Sequence, residues 1–282
     1  MYRSAQVFVS GPIVSLSCLC LVYVGVTISS RLEAATKSFG KKLMATSLLG
    51  EEIVGWNNPE RPDAIMLKGR HVDLEPLDCK RHAKDLFAAY SEDLEKRVWD
   101  YLPYGPFISE AAYSSWITQN ASSDDPAFFA IRDLRDCRCV GVASYLRINP
   151  AHGTIEVGHI AFSPLLQSTV GATEAMYLMM KWVFEQGYRR YEWKCDALNI
   201  RSRRAAQRFG FSYEGIFRQA AIVKSHNRDT AWFAVIDKEW PILKSAYEAW
   251  LGENNFDQQG IQKQSLSGMT SSVLFRRDPV IS

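Results

Sequence analysis

The residues of this chain that could do chemistry together fall within one run, Thr154 to Phe211. The turn Leu166 to Ala172 leads from an apolar strand into an apolar helix, so its free backbone N–H groups and the positive helix end would face an anion. A pyrophosphate fits there, although every strand-to-helix connection has free N–H groups of this kind. Further on, Asn199 is followed by Ser202, Ala205, Ala206 and the pair Gly210-Phe211. An Asn at a helix start is first of all a cap, a structural role that needs no ligand. Yet the order strand, anion turn, helix, strand, Asn, helix, Gly-Phe is much rarer than any one of its parts. It sets a helix N-terminus and an Asn-headed turn beside two neighbouring strands, which can hold a phosphorylated carrier next to a reacting group.

Other chemistries find less support. His159 lies on an apolar strand, where a histidine is more often a satisfied core residue than a base, and neither it nor His152 completes a nucleophilic triad. Cys195, also on an apolar strand, reads as inert rather than as a covalent nucleophile. The six cysteines include no CxxC pair and have no His-rich partner segment, so neither a zinc site nor a disulfide framework is indicated, and no metal is expected. Scattered single cysteines fit a reducing, cytoplasmic setting. A formal charge of +2, with Lys and Arg spread along the chain, argues against a nucleic-acid partner.

The elements that must position these residues follow from apolar periodicity. Strands are predicted over 65–77, 127–132, 139–148 and 154–162, with the second and third joined as a hairpin by the charged turn 133–138. Helices are predicted over 81–91, 110–120, 171–186, 202–209 and 239–251. The strand 191–195 is entered from a helix, so its pairing with 154–162 should be parallel through a right-handed crossover, and 211–221 with 230–236 form a final antiparallel pair. The fold is mixed α+β.

With 47% hydrophobic and 23% charged residues in 282, the chain reads as one large globular domain with appendages. Residues 1–43 contain an uncharged apolar stretch long enough to cross a bilayer, 44–64 form a linker, 65–251 the domain, and 252–282 a polar tail that should be loose at its end. Three readings of the first segment stay open: a membrane anchor with the domain on the cytoplasmic side, a cleaved targeting segment, or an extension upstream of a start at Met44. A membrane partner follows only if the segment is retained.

From about Met66 to Trp250 the chain resembles the GCN5-related N-acetyltransferase family, and within it the RimJ and RimL type of ribosomal-protein acetyltransferase. The resemblance is carried by the opening strand Leu67-Lys-Gly-Arg-His-Val-Asp-Leu-Glu-Pro-Leu77, the strand Ile155-Glu-Val-Gly-His-Ile-Ala-Phe162, the turn Gln167-Ser-Thr-Val-Gly-Ala-Thr-Glu-Ala175, and Asn199-Ile-Arg-Ser202 leading to Gly210-Phe211. It implies a mostly antiparallel sheet of six to seven strands flanked by helices, with acetyl-CoA bound in a V-shaped opening between a splayed fourth and fifth parallel pair. Backbone groups of Ala161 and Ser163 would then pair with the pantetheine arm, a backbone N–H near Phe162 would meet the oxyanion, Gln167, Ser168, Thr169, Val170, Gly171, Ala172 and Thr173 would surround the pyrophosphate, and Asn199 would hold the arm from the other side. The family's phosphate turn has the form Gln/Arg-x-x-Gly-x-Gly/Ala. Gln167 and Ala172 match it, but Val170 stands at its first glycine, where a β-branched residue would resist a positive φ.

The same resemblance makes Glu156 the candidate base, with an exposed strand carboxylate as the plain alternative. The tyrosine that many relatives use to protonate the leaving thiolate is replaced by Ala206, which leaves Ser202 as the candidate acid or simply a capping residue. On the acceptor side, Trp99, Tyr101 and Tyr104 either line the groove or cover the core, while Asp196, Arg228 and Asp229 either orient an amine or form an internal salt-bridge set. The expected activity is direct transfer of acetyl from acetyl-CoA to a primary amine, at a protein N-terminus or on a small molecule. Rival expectations are a non-catalytic acyl-CoA-binding module and a membrane-tethered interaction protein with a decayed catalytic fold.

Overall fold

A computed structural model describes residues 49–281. Residues 49–56, in a separate unit, carry turns and no strand or helix; among the described residues all regular structure lies from Asn57 onward. The apolar segment 1–43, and with it the choice between anchor, targeting segment and extension, lies outside the described residues. No described helix is long and apolar enough to cross a membrane.

Eight strands form one sheet: β1 (Leu67–Lys68), β2 (Val72–Pro76), β3 (Ala127–Asp133), β4 (Arg138–Asn149), β5 (Thr154–Phe162), β6 (Arg190–Asp196), β7 (Ser212–Val223) and β8 (His226–Ile236). Their spatial order is β1-β2-β3-β4-β5-β6-β8-β7, and every pairing is antiparallel except β5 with β6. The helices are α1 (Cys79–Ser91), α2 (Glu110–Asn120), α3 (Val170–Glu185), α4 (Ile200–Arg208), α5 (Trp240–Leu251) and the short α6 (Leu266–Thr270). This is the expected mixed α+β architecture, with a sheet wider than the six to seven strands anticipated.

The added strand arises at the start, where the predicted strand 65–77 is a hairpin of β1 and β2. Glu174 of α3, only 4% exposed, accepts the N–H groups of Arg70, His71 and Val72 at 2.9, 2.6 and 3.0 Å, which turns the backbone where a continuous strand would run. A buried carboxylate needs such donors, and the turn supplies three.

Strand alternation sorts the sheet's side chains into two cores. Ile155, Val157, Tyr191, Trp193 and Phe233 join the larger core with residues of α3 and α5. On the opposite face Leu86 and Tyr90 of α1 and Tyr113 of α2 cover Phe128, Val142 and Ala161. Further along this second face, β6 carries Glu192 and Lys194, opposite Ala234 and Trp232 of β8.

Two features of β5 shape the site. Its ladder with β6 runs from Thr154↔Arg190 to Val157↔Trp193 and stops there, so the strands part beyond that point. Its register against β4 slips between Val142 and Ser144, opposite Gly158–Ala161, and His159 takes a φ of +49°. That combination is a bulge, which re-aims every side chain after it.

The C-terminal tail, expected to be loose at its end, is docked. Arg203 of α4 donates through Nε and Nη2 to both oxygens of Asp278 at 2.6 Å, and the two residues are 2% and 0% exposed. Leu266 and Val273 enter the larger core, and the Thr270 hydroxyl donates to Arg208 O at 3.0 Å. Low apolar content hid this anchorage because a buried ion pair and a few apolar contacts hold the segment, not a periodic face. The end of the expected linker is bound as well, with Arg61 donating to the carbonyls of Ile148 and Asp124 at 3.2 and 3.0 Å.

Candidate active site

The turn from β5 into α3 is built around Thr169, the N-cap, whose hydroxyl accepts from the Ala172 N–H at 3.1 Å and donates to Leu166 O at 2.7 Å. The N–H groups of Leu166 and Gln167 both donate to Ser163 O at 3.0 Å, and that of Thr169 to Leu166 O at 3.3 Å. Those of Ser168, Val170 and Gly171 find no acceptor among the described residues. Three unspent donors at the positive end of a sixteen-residue helix suit an anion.

Val170 does not damage this turn. The left-handed residue is Ser168, with φ +60°, while Val170 is the first residue of α3 and needs no positive φ. Gly171 answers to packing, because a Cβ there would lie 2.8 Å from Val72 Cγ1 on β2. Thr173 accepts from Nη1 and Nη2 of Arg208 at 3.2 and 3.1 Å, so its hydroxyl ties α3 to α4.

Along the second half of β5, Ala161 and Ser163, the expected partners of the pantetheine arm, have polar groups engaged within the protein. The Ser163 N–H donates to Val140 O at 3.1 Å, and the Ala161 carbonyl accepts from Tyr90 Oη at 2.8 Å. Alternation therefore turns the backbone groups of Ile160 and Phe162 away from β4, toward the opening beside β6. Phe162 O accepts from Gln167 Nε2 at 2.7 Å, which ties the anion turn to the strand.

Glu156, paired across the ladder with Glu192, is 3% exposed, not the exposed carboxylate of the plain alternative. Its oxygens lie 2.7 Å from Arg147 Nη1 and 2.8 Å from Lys194 Nζ, and Lys194 also contacts Glu192 at 2.7 Å. Arg190 continues the series to Glu192 and Glu214, both at 2.6 Å. Burial raises the Glu156 carboxyl above its ordinary range, against the pull of Lys194 and Arg147.

Asn199 caps α4, its Oδ1 accepting from the Ser202 N–H at 3.0 Å, which leaves its amide N–H groups free for another acceptor. The Ser202 hydroxyl accepts from Trp193 Nε1 at 3.0 Å, at the last rung of the β5–β6 ladder. Ala206 is fully buried. Burial pushes the Cys195 thiol up to about 11, against a hydrogen bond to Ser202, so the sulfur stays protonated near neutrality.

His159 was read from sequence as a core residue, and the structure sets it at the bulge, half-buried. Its Nδ1 is 3.3 Å from Tyr104 Oη and its ring stacks on Tyr104 with centroids 5.6 Å apart. Burial, with the Arg147 and Arg228 charges, holds the imidazole down at about 4, so it is neutral at pH 7. The signal was Gly158, since a glycine inside a strand pattern marks a bulge.

The acceptor-side residues divide. Trp99, 4% exposed and packed edge-on against Tyr90 and Phe107, covers the core and also lines a cavity with Phe87, Leu94 and Lys96. Tyr101 is 39% exposed and donates to Leu198 O at 3.4 Å, just before Asn199, and Lys224 at the β7–β8 turn donates to Trp99 O at 2.7 Å. Asp196 accepts from the Leu198 N–H at 2.8 Å and shapes the turn into α4. Asp229 accepts from the Gln219 N–H at 2.7 Å and from Asn227 Nδ2 at 3.0 Å, bonds that hold its carboxyl below the usual range. Neither aspartate pairs with Arg228, so the three do not form a salt-bridge set. Among the described residues no cluster of His, Cys, Asp or Glu is placed to hold a metal ion.

Residues 71–212 match the family model of the acetyltransferase (GNAT) domain. A solved GCN5-related N-acetyltransferase from Brucella melitensis is 45% identical over 78% of this chain and 100% of that chain, with a TM-score of 0.76. A probable acetyltransferase of the GNAT family from Chromobacterium violaceum is 40% identical over 70% and 98%, with a TM-score of 0.64. The chain belongs to the GNAT acetyltransferase family. RimL, the ribosomal L7/L12 alpha-N-protein acetyltransferase, is 19% identical over 61% and 94% with a TM-score of 0.52, a likeness of fold alone. Among curated proteins no significant match was found.

Proposed function

We propose that the protein is an acetyl-CoA-dependent N-acetyltransferase that acetylates a primary amine by direct attack in a ternary complex. The observation that carries this reading is the parting of β5 and β6 beyond Val157↔Trp193, next to unspent N–H groups at Ser168, Val170 and Gly171. Acetyl-CoA supplies the reactive thioester. Ser168, Val170 and Gly171 would hold its pyrophosphate, Ile160 and Phe162 its pantetheine arm, and the Asn199 amide would approach that arm from α4. The Ile160 N–H, first after the bulge on the open side, is aimed to stabilise the developing oxyanion.

Glu156 accepts the acceptor's ammonium proton, through water because its oxygens are held by Arg147 and Lys194. Its raised pKa makes it a stronger base than an ordinary carboxylate, so kcat/KM should climb with pH as it ionises. Ser202 relays a proton to the leaving sulfur as the N–C bond forms and the C–S bond breaks. Protein α-amines, as in the RimJ/RimL type, and small amines are both within this reading, in a cytoplasmic setting where thiols stay reduced.

The test is calorimetric titration with acetyl-CoA followed by CoA release with a panel of amines and peptides. Binding with amine-dependent release is expected. Binding without release from any member would support the acyl-CoA-binding module, and no binding would remove both.

A further inference from the structure

The turn from Asp196 to Asn199, which sets Asn199 at the head of α4, is held from several sides. The Ala197 N–H donates to Asp229 O of β8 at 2.8 Å, the Leu198 N–H to Asp196 Oδ1 at 2.8 Å, and the Asn199 N–H to Asp196 O at 2.9 Å. The Ala197 carbonyl accepts from Arg203 Nη1 at 2.7 Å, one turn further along the chain. That same guanidinium spends its Nε and Nη2 on the two oxygens of Asp278, so a single planar group joins the tail to the turn.

A guanidinium gripped at two nitrogens by both oxygens of one carboxylate is fixed in plane and in rotation. Asp278 is itself set by contacts that do not involve Arg203: the Phe275 N–H donates to Ser212 Oγ at 2.9 Å, the Tyr213 N–H to Arg276 O at 2.9 Å, and the Asp278 N–H to Gln207 Oε1 at 2.8 Å. The carboxylate so placed decides where Arg203 Nη1 points. Both residues are closed to solvent, where a charge left without its partner is strongly unfavourable. A pair that served only to dock the tail would need the two-pronged grip alone. The third bond, to a carbonyl two residues before Asn199, carries that grip to the site.

Resting on the N-acetyltransferase reading, we propose that Asp278 is a positioning residue for acetyl-CoA: through Arg203 and the Ala197 carbonyl it fixes the turn that aims the Asn199 amide at the pantetheine arm. The tail is then part of the acetyl-CoA site, although Asp278 lies outside the stretch 71–212 that matches the family model. The same turn faces the acceptor side, since Tyr101 Oη donates to Leu198 O at 3.4 Å.

Two variants separate positioning from folding. Asp278→Asn keeps the size of the side chain and removes its charge. Arg203→Met combined with Asp278→Leu replaces the pair by apolar side chains, an exchange that is often neutral or stabilising, so it decides the matter if Asp278→Asn does not fold. Acetyl-CoA affinity is measured by calorimetry for both, with and without Asn199→Ala, and amide hydrogen exchange is followed at Leu198 and Asn199. Each variant should bind acetyl-CoA about threefold to tenfold more weakly, as loss of one neutral hydrogen bond requires, but should change affinity by less than about twofold once Asn199 is alanine. Exchange at Leu198 and Asn199 should quicken about tenfold or more, while that of Trp193 and Phe233, paired across β6 and β8, stays as it was. Three results each overturn the positioning role: affinity within about twofold in the combined variant at an unaltered melting temperature, unchanged exchange at the turn, or an equal loss of affinity when Asn199 is already alanine. If the unsubstituted protein binds no acetyl-CoA, the N-acetyltransferase reading falls and exchange decides alone. Faster exchange at Leu198 and Asn199 then upholds the link from Asp278 to the turn, and unchanged exchange overturns that as well.

Discussion

The two halves of β5 share one strand and do opposite things. From Thr154 to Val157 the strand is paired on both edges, and Glu156 is locked between cations; from Gly158 onward it has β4 on one side and, among the described residues, no paired strand on the other. The first half invests its polar groups in the fold, and the second leaves backbone N–H groups unspent for a ligand. A single bulge at Gly158–His159 separates the two regimes, which shows that a site can be opened in a sheet by withholding pairing instead of adding residues.

The comparison breaks most sharply at Lys194. Lys194→Met would leave the buried Glu156 facing the half-buried Glu192 across the ladder with only Arg147 and Arg190 to offset them, and removing one partner of a buried pair costs roughly 3–5 kcal/mol. Urea unfolding should show that loss at pH 8 and a smaller one at pH 5. The sign follows from burial: a carboxyl whose folded pKa is raised destabilises the fold above that pKa, and the penalty disappears as protonation neutralises it. An equal loss at both pH values would mean that Glu156 is not the strained group.

Glu156→Gln should lower kcat by about a hundredfold at neutral pH, the lower range for general-base catalysis, and leave acetyl-CoA affinity unchanged. The rise of rate with pH should vanish with it; a profile identical to that of the unsubstituted protein would remove Glu156 from the base role. On the open half, Gly171→Ala drives a methyl against Val72 and should cost about 1–3 kcal/mol of stability, weakening acetyl-CoA binding with it. Thermal melts with and without acetyl-CoA separate the two effects. The smallest change is Asn199→Ala, which removes a cap worth about 1 kcal/mol. An added loss of acetyl-CoA affinity would show that the free amide holds the arm, and an unaltered dissociation constant would confine Asn199 to capping.

Local signals made the frame legible. Asn199 and Gly210 bracket α4 because capping and the left-handed exit, φ +88° at Gly210, are written in neighbouring residues. The apolar alternation of 154–162 marked β5 for the same reason. Legibility ended wherever a partner came from far along the chain. Glu174 splits the opening strand from about a hundred residues away, and Asp278 reaches back to Arg203 to dock a tail whose composition looked loose. Val170 seemed to spoil the phosphate turn only because the register of positive φ, which falls on Ser168, depends on how Thr169 and Gln167 are bonded.

By itself the sequence determined most of the order of elements, the cap of α4, the family and the position of the turn from β5 into α3, all of which depend on residues close together in the chain. The tertiary structure alone decided which backbone groups of β5 face the opening, which carboxylates are spent, and where Asp278 aims the Arg203 guanidinium. Those outcomes turn on strand parity across a bulge and on competition among charges brought together from separate segments. Neither can be counted until the sheet has closed.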